Sequence, residues 1–205
     1  MNNNQNNKIG FGIGGVIIGL ILGILISPMM RGNSAVPSNI QSSTSKTVNA
    51  GVLDRHFIEQ MIPHHDGAIA MANLALEKAK RPEIKALAQV IVSAQESENQ
   101  EMKSWYKSWF GKDVPKGSAM MGGMMSKGGM HMGGSEDLTA LRNSQDFDKA
   151  FIEQMIPHHQ MAIMMANMLE SGTNQPEMKQ LAKNIISSQT KEIEQMQGWY
   201  MNWYK

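Results

Sequence analysis

One nine-residue string occurs twice in this chain without a changed letter. Residues 57–65 read Phe-Ile-Glu-Gln-Met-Ile-Pro-His-His, and residues 151–159 read the same. The match continues without a gap from 54–111 onto 148–205, with roughly half of the positions identical, and each copy ends in Trp-Tyr-x-x-Trp. A tandem repeat of this length indicates two similar structural units that must pack together to bury a core.

Within each repeat the apolar residues and histidines follow a helical period. In repeat one they form two neighbouring stripes: Phe57, Met61, His64, Ala68, Met71 and Ala75, and Ile58, Ile62, His65, Ile69, Ala72 and Leu76. The pattern predicts a first helix that is buried over a broad face, capped by Asp54 and kinked at Pro63. Pro82 and Glu83 then restart the period, which predicts a second helix.

The predicted fold is all-α, an up-down four-helix bundle made of two αα-hairpins. The turns are expected at residues 78–81 and 172–175. No segment alternates with period two, so we expect no sheet. The sequence leaves open whether the hairpins pack within one chain or are exchanged between the chains of a homo-oligomer.

The remaining segments divide the chain further. We predict a signal anchor at 1–31, a flexible stalk at 32–51, the first repeat at 52–111, a Met/Gly-rich linker at 112–145 and the second repeat at 146–205. Residues 9–26 form an apolar run that, at about 1.5 Å per residue, spans about 27 Å and predicts a transmembrane helix. A cleaved secretory signal is the alternative, although 33–35 is a poor cleavage site. In either case the repeats are expected in the periplasm or extracellular space.

Composition excludes several classes of protein. The chain has no cysteine, so it offers neither a thiolate ligand nor a disulfide. Its formal net charge is +1, with lysine and arginine scattered among glutamates, which argues against nucleic acid as a partner. We find no catalytic nucleophile or acid-base pair and do not expect an enzyme. The 20 methionines are the unusual feature.

Methionine and histidine meet at helical spacing in both repeats. Met61 precedes His64 and His65 by three and four residues, and repeat two keeps the same spacing. Thioether sulfur is a soft ligand and imidazole a borderline one, so such a site favours Cu(I) or Ag(I) over hard ions, while binding of Cu(II) stays open. Di-iron bundles have glutamate where methionine stands here. The predicted helical ligands are His64, His65, Met61, His158, His159, Met155, Met71 and Met165.

These side chains also have ordinary explanations. A histidine on an apolar stripe is often a core residue hydrogen-bonded to a carboxylate or backbone group, and Met71 or Met165 alone is a typical gap-filling side chain. Glu98 and Glu192 lie on the core stripe, where a carboxylate needs a partner. They either orient the histidines, bind metal directly, or lie at the solvent edge.

The linker is too rich in glycine to form a stable helix or strand. Because its methionines have no core to fill, we interpret them as a loose metal trap, with low-complexity drift as the alternative. The predicted linker ligands are Met120, Met121, Met124, Met125, Met130, His131 and Met132. Thioethers do not titrate near neutrality, whereas imidazole must be unprotonated to bind. We therefore expect linker capture to persist at pH 5 and bundle capture to weaken.

The motif Phe-x-x-x-Met-x-x-His-His, followed by Ala-x-x-Met-Ala and a helix ending in Trp, resembles the domain of unknown function 305 family. The resemblance covers both repeats and implies a ferritin-like form, export and copper handling. The residues it implies for copper are His64, His65, His158 and His159, with Met61 and Met155 beside them. His56 and Asp66 of repeat one have no counterpart in repeat two.

The sequence thus predicts an exported, membrane-anchored protein that sequesters or relays Cu(I) in copper tolerance or homeostasis, with a copper-transfer protein as a candidate partner and the choice between storage and delivery left open. A ferritin-like metal oxidase is the first alternative, favoured if Glu98 and Glu192 bind metal directly. A metal-independent scaffold that docks a partner through its methionines is the second.

Overall fold

The computed structural model describes the backbone of residues 41–115 and 135–205, and the side chains of 51–115 and 138–205. Within these ranges the protein is all-α, with no strand. The five helices are α1 (Gln41–Lys78), α2 (Pro82–Phe110), α3 (Ser135–Arg142), α4 (Phe147–Gly172) and α5 (Pro176–Tyr204). α1 and α2 form one hairpin, α4 and α5 form the other, and α1 packs on α4 between them.

Local sequence sets most of the helix ends. α2 and α5 begin at Pro82 and Pro176, because proline at the first turn loses no intrahelical hydrogen bond. α2 ends at Phe110 and is capped by Gly111, whose left-handed φ of 69° suits a residue without a side chain, and whose N–H donates to the Lys107 carbonyl. α4 begins after Asp146, whose carboxylate accepts the N–H three residues on.

Three sequence expectations differ from the structure. α1 begins at Gln41, so residues 41–51 of the predicted stalk are helical, and they contain no proline to stop the helix. Asp54 therefore lies inside a helix instead of capping it. α3 lies within the predicted linker, where Leu141 is fully buried in the core, so packing overrides the glycine-rich context. The helix also continues through Pro63, and the predicted kink there stays a prediction.

The two hairpins contact each other at both of their turns. The backbone N–H groups of Lys80 and Arg81, in the first turn, each donate to the Asp148 carboxylate of α4 at 3.0 Å. At the opposite end Asp54 of α1 lies beside Thr173 in the second turn; burial raises the pKa of its carboxyl group, and the Thr173 side chain lowers it to a smaller extent. Both aspartates are buried, so the turn of each repeat lies against an aspartate of the other repeat.

Two apolar clusters fill the ends of the bundle. Cluster A joins the end of α1 to the start of α4 and includes Met71, Ile84, Ile91, Phe151 and Met155. Cluster B joins the start of α1 to the end of α4 and includes Phe57, Met61, Met102, Leu169 and Ile185. The clusters are separated by a polar layer, which is formed by His64, His65, Gln95, Glu98, Asn99, His158, His159, Gln189 and Glu192.

The predicted membrane anchor at 9–26 lies outside the described residues, as does the 32–40 part of the stalk. Among the helices in 41–115 and 135–205, none has the length and apolar character that crossing a bilayer requires.

Candidate metal centre

Four histidine rings form a row through the polar layer. His64 of α1 and His158 of α4 face each other across the bundle, with ring centroids 3.8 Å apart. His65 and His159 flank them, each 6.4 Å from its neighbour in sequence. All four rings are buried. The sequence places the two histidine pairs on separate helices, and the structure brings them together into one row.

A glutamate holds the outer histidine of each pair. His65 Nε2 lies 2.7 Å from Glu98 Oε2, and His159 Nε2 lies 2.6 Å from Glu192 Oε2. Because an ionised carboxylate only accepts hydrogen bonds, Nε2 donates to it, and in the neutral form of the ring Nδ1 keeps a free lone pair. Of the three positions that the sequence allows for the glutamates, the structure shows the one paired with imidazole.

The other ring nitrogens of the row have no hydrogen-bond partner among the described residues. They are both nitrogens of His64, both nitrogens of His158, and Nδ1 of His65 and of His159. Burying a polar atom without a partner costs about 1–3 kcal/mol, so native proteins seldom do it. A cation bound between the two rings of a pair would take up the lone pair of one nitrogen from each ring, and the residues present therefore fit a metal.

Burial keeps the two central rings neutral. Loss of solvation, with a smaller contribution from neighbouring histidines, holds the pKa of His64 well below its ordinary value. The same causes lower the pKa of His158 from 6.5 to about 3. Burial thus favours the unprotonated form of both rings, which is the form that binds metal. The expectation that bundle capture weakens at pH 5 assumed histidines with ordinary solvation, and it stays a prediction.

The spacing within each pair leaves room for one ion. Two imidazoles that share a metal through nitrogens about 2 Å from it hold their centroids about 6 Å apart. The observed separation is 6.4 Å in both pairs. Among the described side chains there is no group of three or more histidine or acidic residues that could hold an ion together. Each side of the layer thus offers a pair of imidazoles.

The predicted methionine ligands do not all gather at the histidines. Met61 is fully buried in cluster B, and Met155 is fully buried in cluster A beside Met71. Met61 and Met155 therefore adjoin the polar layer from opposite ends, each one turn before its histidines. Met165 packs against cluster B and is half-buried. The linker ligands, Met120, Met121, Met124, Met125, Met130, His131 and Met132, lie outside the described residues.

Sequence reasoning did not name three amides of the polar layer as site residues. Gln95 and Gln189 occupy equivalent positions in α2 and α5, and their buried side-chain oxygens have no partner within the described chain. Asn99 donates to Asp66 at 2.9 Å, and its own oxygen is also buried without a partner. For Gln95 and Gln189 the available signal was a polar residue recurring at the same position of an apolar stripe in both repeats, whereas Asn99 has Ile193 at its equivalent position and gave no such signal.

The sequence profile of a family described as a domain of unknown function, DUF305, matches residues 54–200. The chain belongs to the DUF305 family. The resemblance that the His-His motif suggested is thereby confirmed, and the polar layer falls within the matched residues.

Solved structures of similar proteins agree with this assignment. The protein CopM in an Ag-bound form is 49% identical, with a TM-score of 0.64 over 74% of this chain and 97% of its own. CopM has also been solved in Cu(I)-bound and Cu(II)-bound forms, again at 49% identity. A DUF305 fragment from Deinococcus radiodurans is 26% identical, with a TM-score of 0.61 over 71% of this chain and 93% of the fragment.

A shorter match links the chain to the uncharacterized protein L153 of Acanthamoeba polyphaga mimivirus. The two are 49% identical over 49 residues, which are 24% of this chain and 32% of the viral protein. The match thus spans about a third of that relative.

Proposed function

We propose that this protein binds Cu(I), or Ag(I) in its place, in the polar layer, and so sequesters or relays copper outside the cytoplasm. The observation that carries the proposal is the set of buried ring nitrogens without partners in His64, His65, His158 and His159. The structures of CopM with silver and copper bound support the same ligand chemistry here.

Each residue type has a distinct role in this proposal. Nδ1 of His65 and of His159 is a ligand atom, and Glu98 and Glu192 fix those rings and make them more basic. His64 and His158 supply the second nitrogen on each side, and their neutral state means that no proton has to leave before metal binds.

Charge balance favours a monovalent ion. Each side of the layer holds one glutamate, and a largely buried carboxylate is costly unless a cation compensates it. One Cu(I) per side makes the side neutral, whereas a divalent ion leaves an excess positive charge in the core. The proposal therefore includes one monovalent ion per repeat.

The finer parts of the proposal rest on the sequence. They are a ferritin-like up-down bundle, a membrane anchor at 9–26, an exported location, exchange of metal with the linker methionines, and a partner protein that receives copper. We propose binding instead of oxidase activity, since Oε2 of Glu98 and of Glu192 is engaged by a histidine.

The test is an anaerobic Cu(I) titration of the full chain in mild detergent against a colorimetric Cu(I) chelator, with native mass spectrometry to count ions. All linker methionines are changed to leucine in every variant, so that only the bundle is counted. We expect the combined His65→Ala and His159→Ala variant to lose both ions. The matched control is His56→Ala, an exposed histidine outside the layer, which should bind as before.

Unchanged binding in the combined variant would contradict the proposal. Consumption of oxygen during turnover of Cu(I) or Fe(II) would favour the oxidase. Association with another protein that chelators leave unaffected would favour the scaffold.

A further inference from the structure

Four methionines share one face of α4, C-terminal to the polar layer. Met161 lies three and four residues before Met164 and Met165, and these lie four and three residues before Met168; we call the four residues the methionine face. Met164 is 46% exposed and Met168 is 57% exposed, while Met161 and Met165 are half-buried. Buried methionines fill gaps in cores. Because Met164 and Met168 are exposed, core packing does not explain why methionine stands at these two positions.

The first repeat lacks this face. The corresponding residues of α1 are Gly67, Ala70, Met71 and Leu74. Met71 is the one methionine among these four, and it is buried in cluster A. The methionine face therefore belongs to repeat two alone and does not follow from the shared fold, which repeat one builds with small or aliphatic side chains.

We propose that the methionine face is a second, solvent-accessible binding site for a soft monovalent cation such as Cu(I) or Ag(I), positioned to load the polar layer. Helical positions four apart bring side chains within about 5–6 Å at Cβ, and methionine has three rotatable bonds beyond it. Met164 and Met168 can therefore bring two sulfurs to one ion, with Met161 and Met165 beside them. Uncharged thioethers prefer soft cations over calcium, magnesium or zinc.

Exposure along the face falls toward the histidines. Met164 and Met168 are exposed and Met161 and Met165 are half-buried, while His158, one turn before Met161, is buried. An ion that exchanges between successive thioethers therefore moves from solvent to the edge of the polar layer. This loading role rests on the proposed function of the histidines, whereas the binding site itself does not.

The binding site is tested on the full chain in mild detergent, with ¹³C-methyl methionine and Ag(I) added in chloride-free buffer, so that no redox step intervenes. Each methyl signal is assigned by a single Met→Leu change. We expect the Met164 and Met168 methyl signals to shift together. Met201 is the matched control, because it is 58% exposed on α5 but has no methionine three or four residues away. Its signal should stay in place at the same Ag(I) concentration.

A second arm counts ions. The double variant Met164→Leu with Met168→Leu keeps the apolar surface, and we expect it to bind one Ag(I) fewer, while Met201→Leu binds the same number. If the Met164 and Met168 methyl signals shift only at Ag(I) concentrations at which the Met201 signal also shifts, the proposed site is wrong and the methionine face is an ordinary apolar surface. An unchanged number of ions in the double variant would also overturn the site.

Loading is tested by following the histidine signals after rapid mixing with Ag(I). We expect the double leucine variant to fill the polar layer several-fold more slowly while reaching the same final occupancy. An unchanged rate would overturn the loading role. The two proposals fail separately: histidine signals that never shift would contradict the proposed function, even where the methionine signals respond.

Discussion

The two repeats hold their outer histidines alike, with His–Glu separations of 2.7 and 2.6 Å, but they differ in what surrounds these pairs. In repeat one, Asn99 of the polar layer donates to Asp66 at the surface. Repeat two has Ile193 and Gln160 at these positions, and it adds the methionine face. The duplicated part is thus the histidine row with its glutamates, while the route from the row to solvent is different on each side.

A second difference lies at the tyrosines. Tyr106 is fully buried and donates to Glu59 at 2.6 Å, and Arg55 also donates to that carboxylate. Tyr200 donates to Glu153 at the same distance, but it is only partly buried, and Lys149 lies 3.9 Å from the carboxylate. The same sequence position therefore contributes more to stability in repeat one, because solvent competes less for the buried hydrogen bond.

The largest expected effect tests whether the central histidines of the two repeats are equivalent. Burial lowers the pKa of His64 well below its ordinary value and that of His158 from 6.5 to about 3, so below pH 6.5 the unfolded chain takes up protons at both residues that the folded chain resists. The free energy of unfolding therefore falls on acidification below pH 6.5, by about 1.4 kcal/mol per pH unit for each histidine until its folded-state pKa is reached. Urea unfolding of the metal-free protein at pH 7, 5 and 4, followed by circular dichroism, measures this.

His64→Phe and His158→Phe separate these histidines from the carboxylates that also titrate below pH 5. Each variant should remove about half of the histidine contribution, and His56→Ala should leave the curve unchanged. If the free energy of unfolding of His64→Phe depends on pH in the same way as that of the unsubstituted protein, the two rings are not equivalent.

The next effect concerns the glutamates that hold the outer rings. Glu98→Leu and Glu192→Leu should each weaken Cu(I) binding at their own pair by about 10–100-fold, since the imidazole loses the group that fixes its tautomer and orientation. Competition with a Cu(I) chelator measures the affinities, and Glu194→Leu, at an exposed position of α5, serves as the control. A loss confined to one of the two variants would break the equivalence of the repeats.

A smaller effect is expected at the tyrosines. Tyr106→Phe should lower the free energy of unfolding by about 1.5 kcal/mol, because it removes a buried hydrogen bond to a charged acceptor. Tyr200→Phe should cost less, since solvent reaches this hydrogen bond and Glu153 can bind water instead. Equal losses in urea unfolding would mean that burial does not distinguish the two sites.

The smallest effect is expected from making repeat one like repeat two. Asn99→Ile removes a buried amide oxygen that lacks a partner and leaves Asp66 free to be solvated. We expect a change in stability of less than about 1 kcal/mol, in the stabilising direction. A marked loss of stability would show that the Asn99–Asp66 hydrogen bond is structurally required.

Much of the fold could be predicted from the repeat. The helical period and the Pro-Glu pairs place α2 and α5, because both features act locally. The start of α1 and the whole of α3 could not be predicted. Residues 41–51 are polar, and α3 follows a glycine-rich run, so these helices depend on context that composition does not reveal.

The site could be predicted in part. Helical spacing placed Glu98 and Glu192 on the core stripe, and a buried carboxylate needs a partner, so a pairing with histidine was among the alternatives. Spacing within one helix cannot show that the His64 ring contacts the His158 ring, because that contact depends on how α1 packs against α4. Nor can it distinguish a ligand from a packing residue, and Met61 and Met155 are both packed in apolar clusters.

The aspartates beside the two turns, Asp148 and Asp54, supply contacts that a single repeat would lack. An isolated first repeat would have no acceptor for the Lys80 and Arg81 amides, and an isolated second repeat would have no Asp54 to meet Thr173. Each repeat thus completes a turn of the other. Any motion that parts the hairpins at the first turn to release an ion has to break the hydrogen bonds between these amides and Asp148.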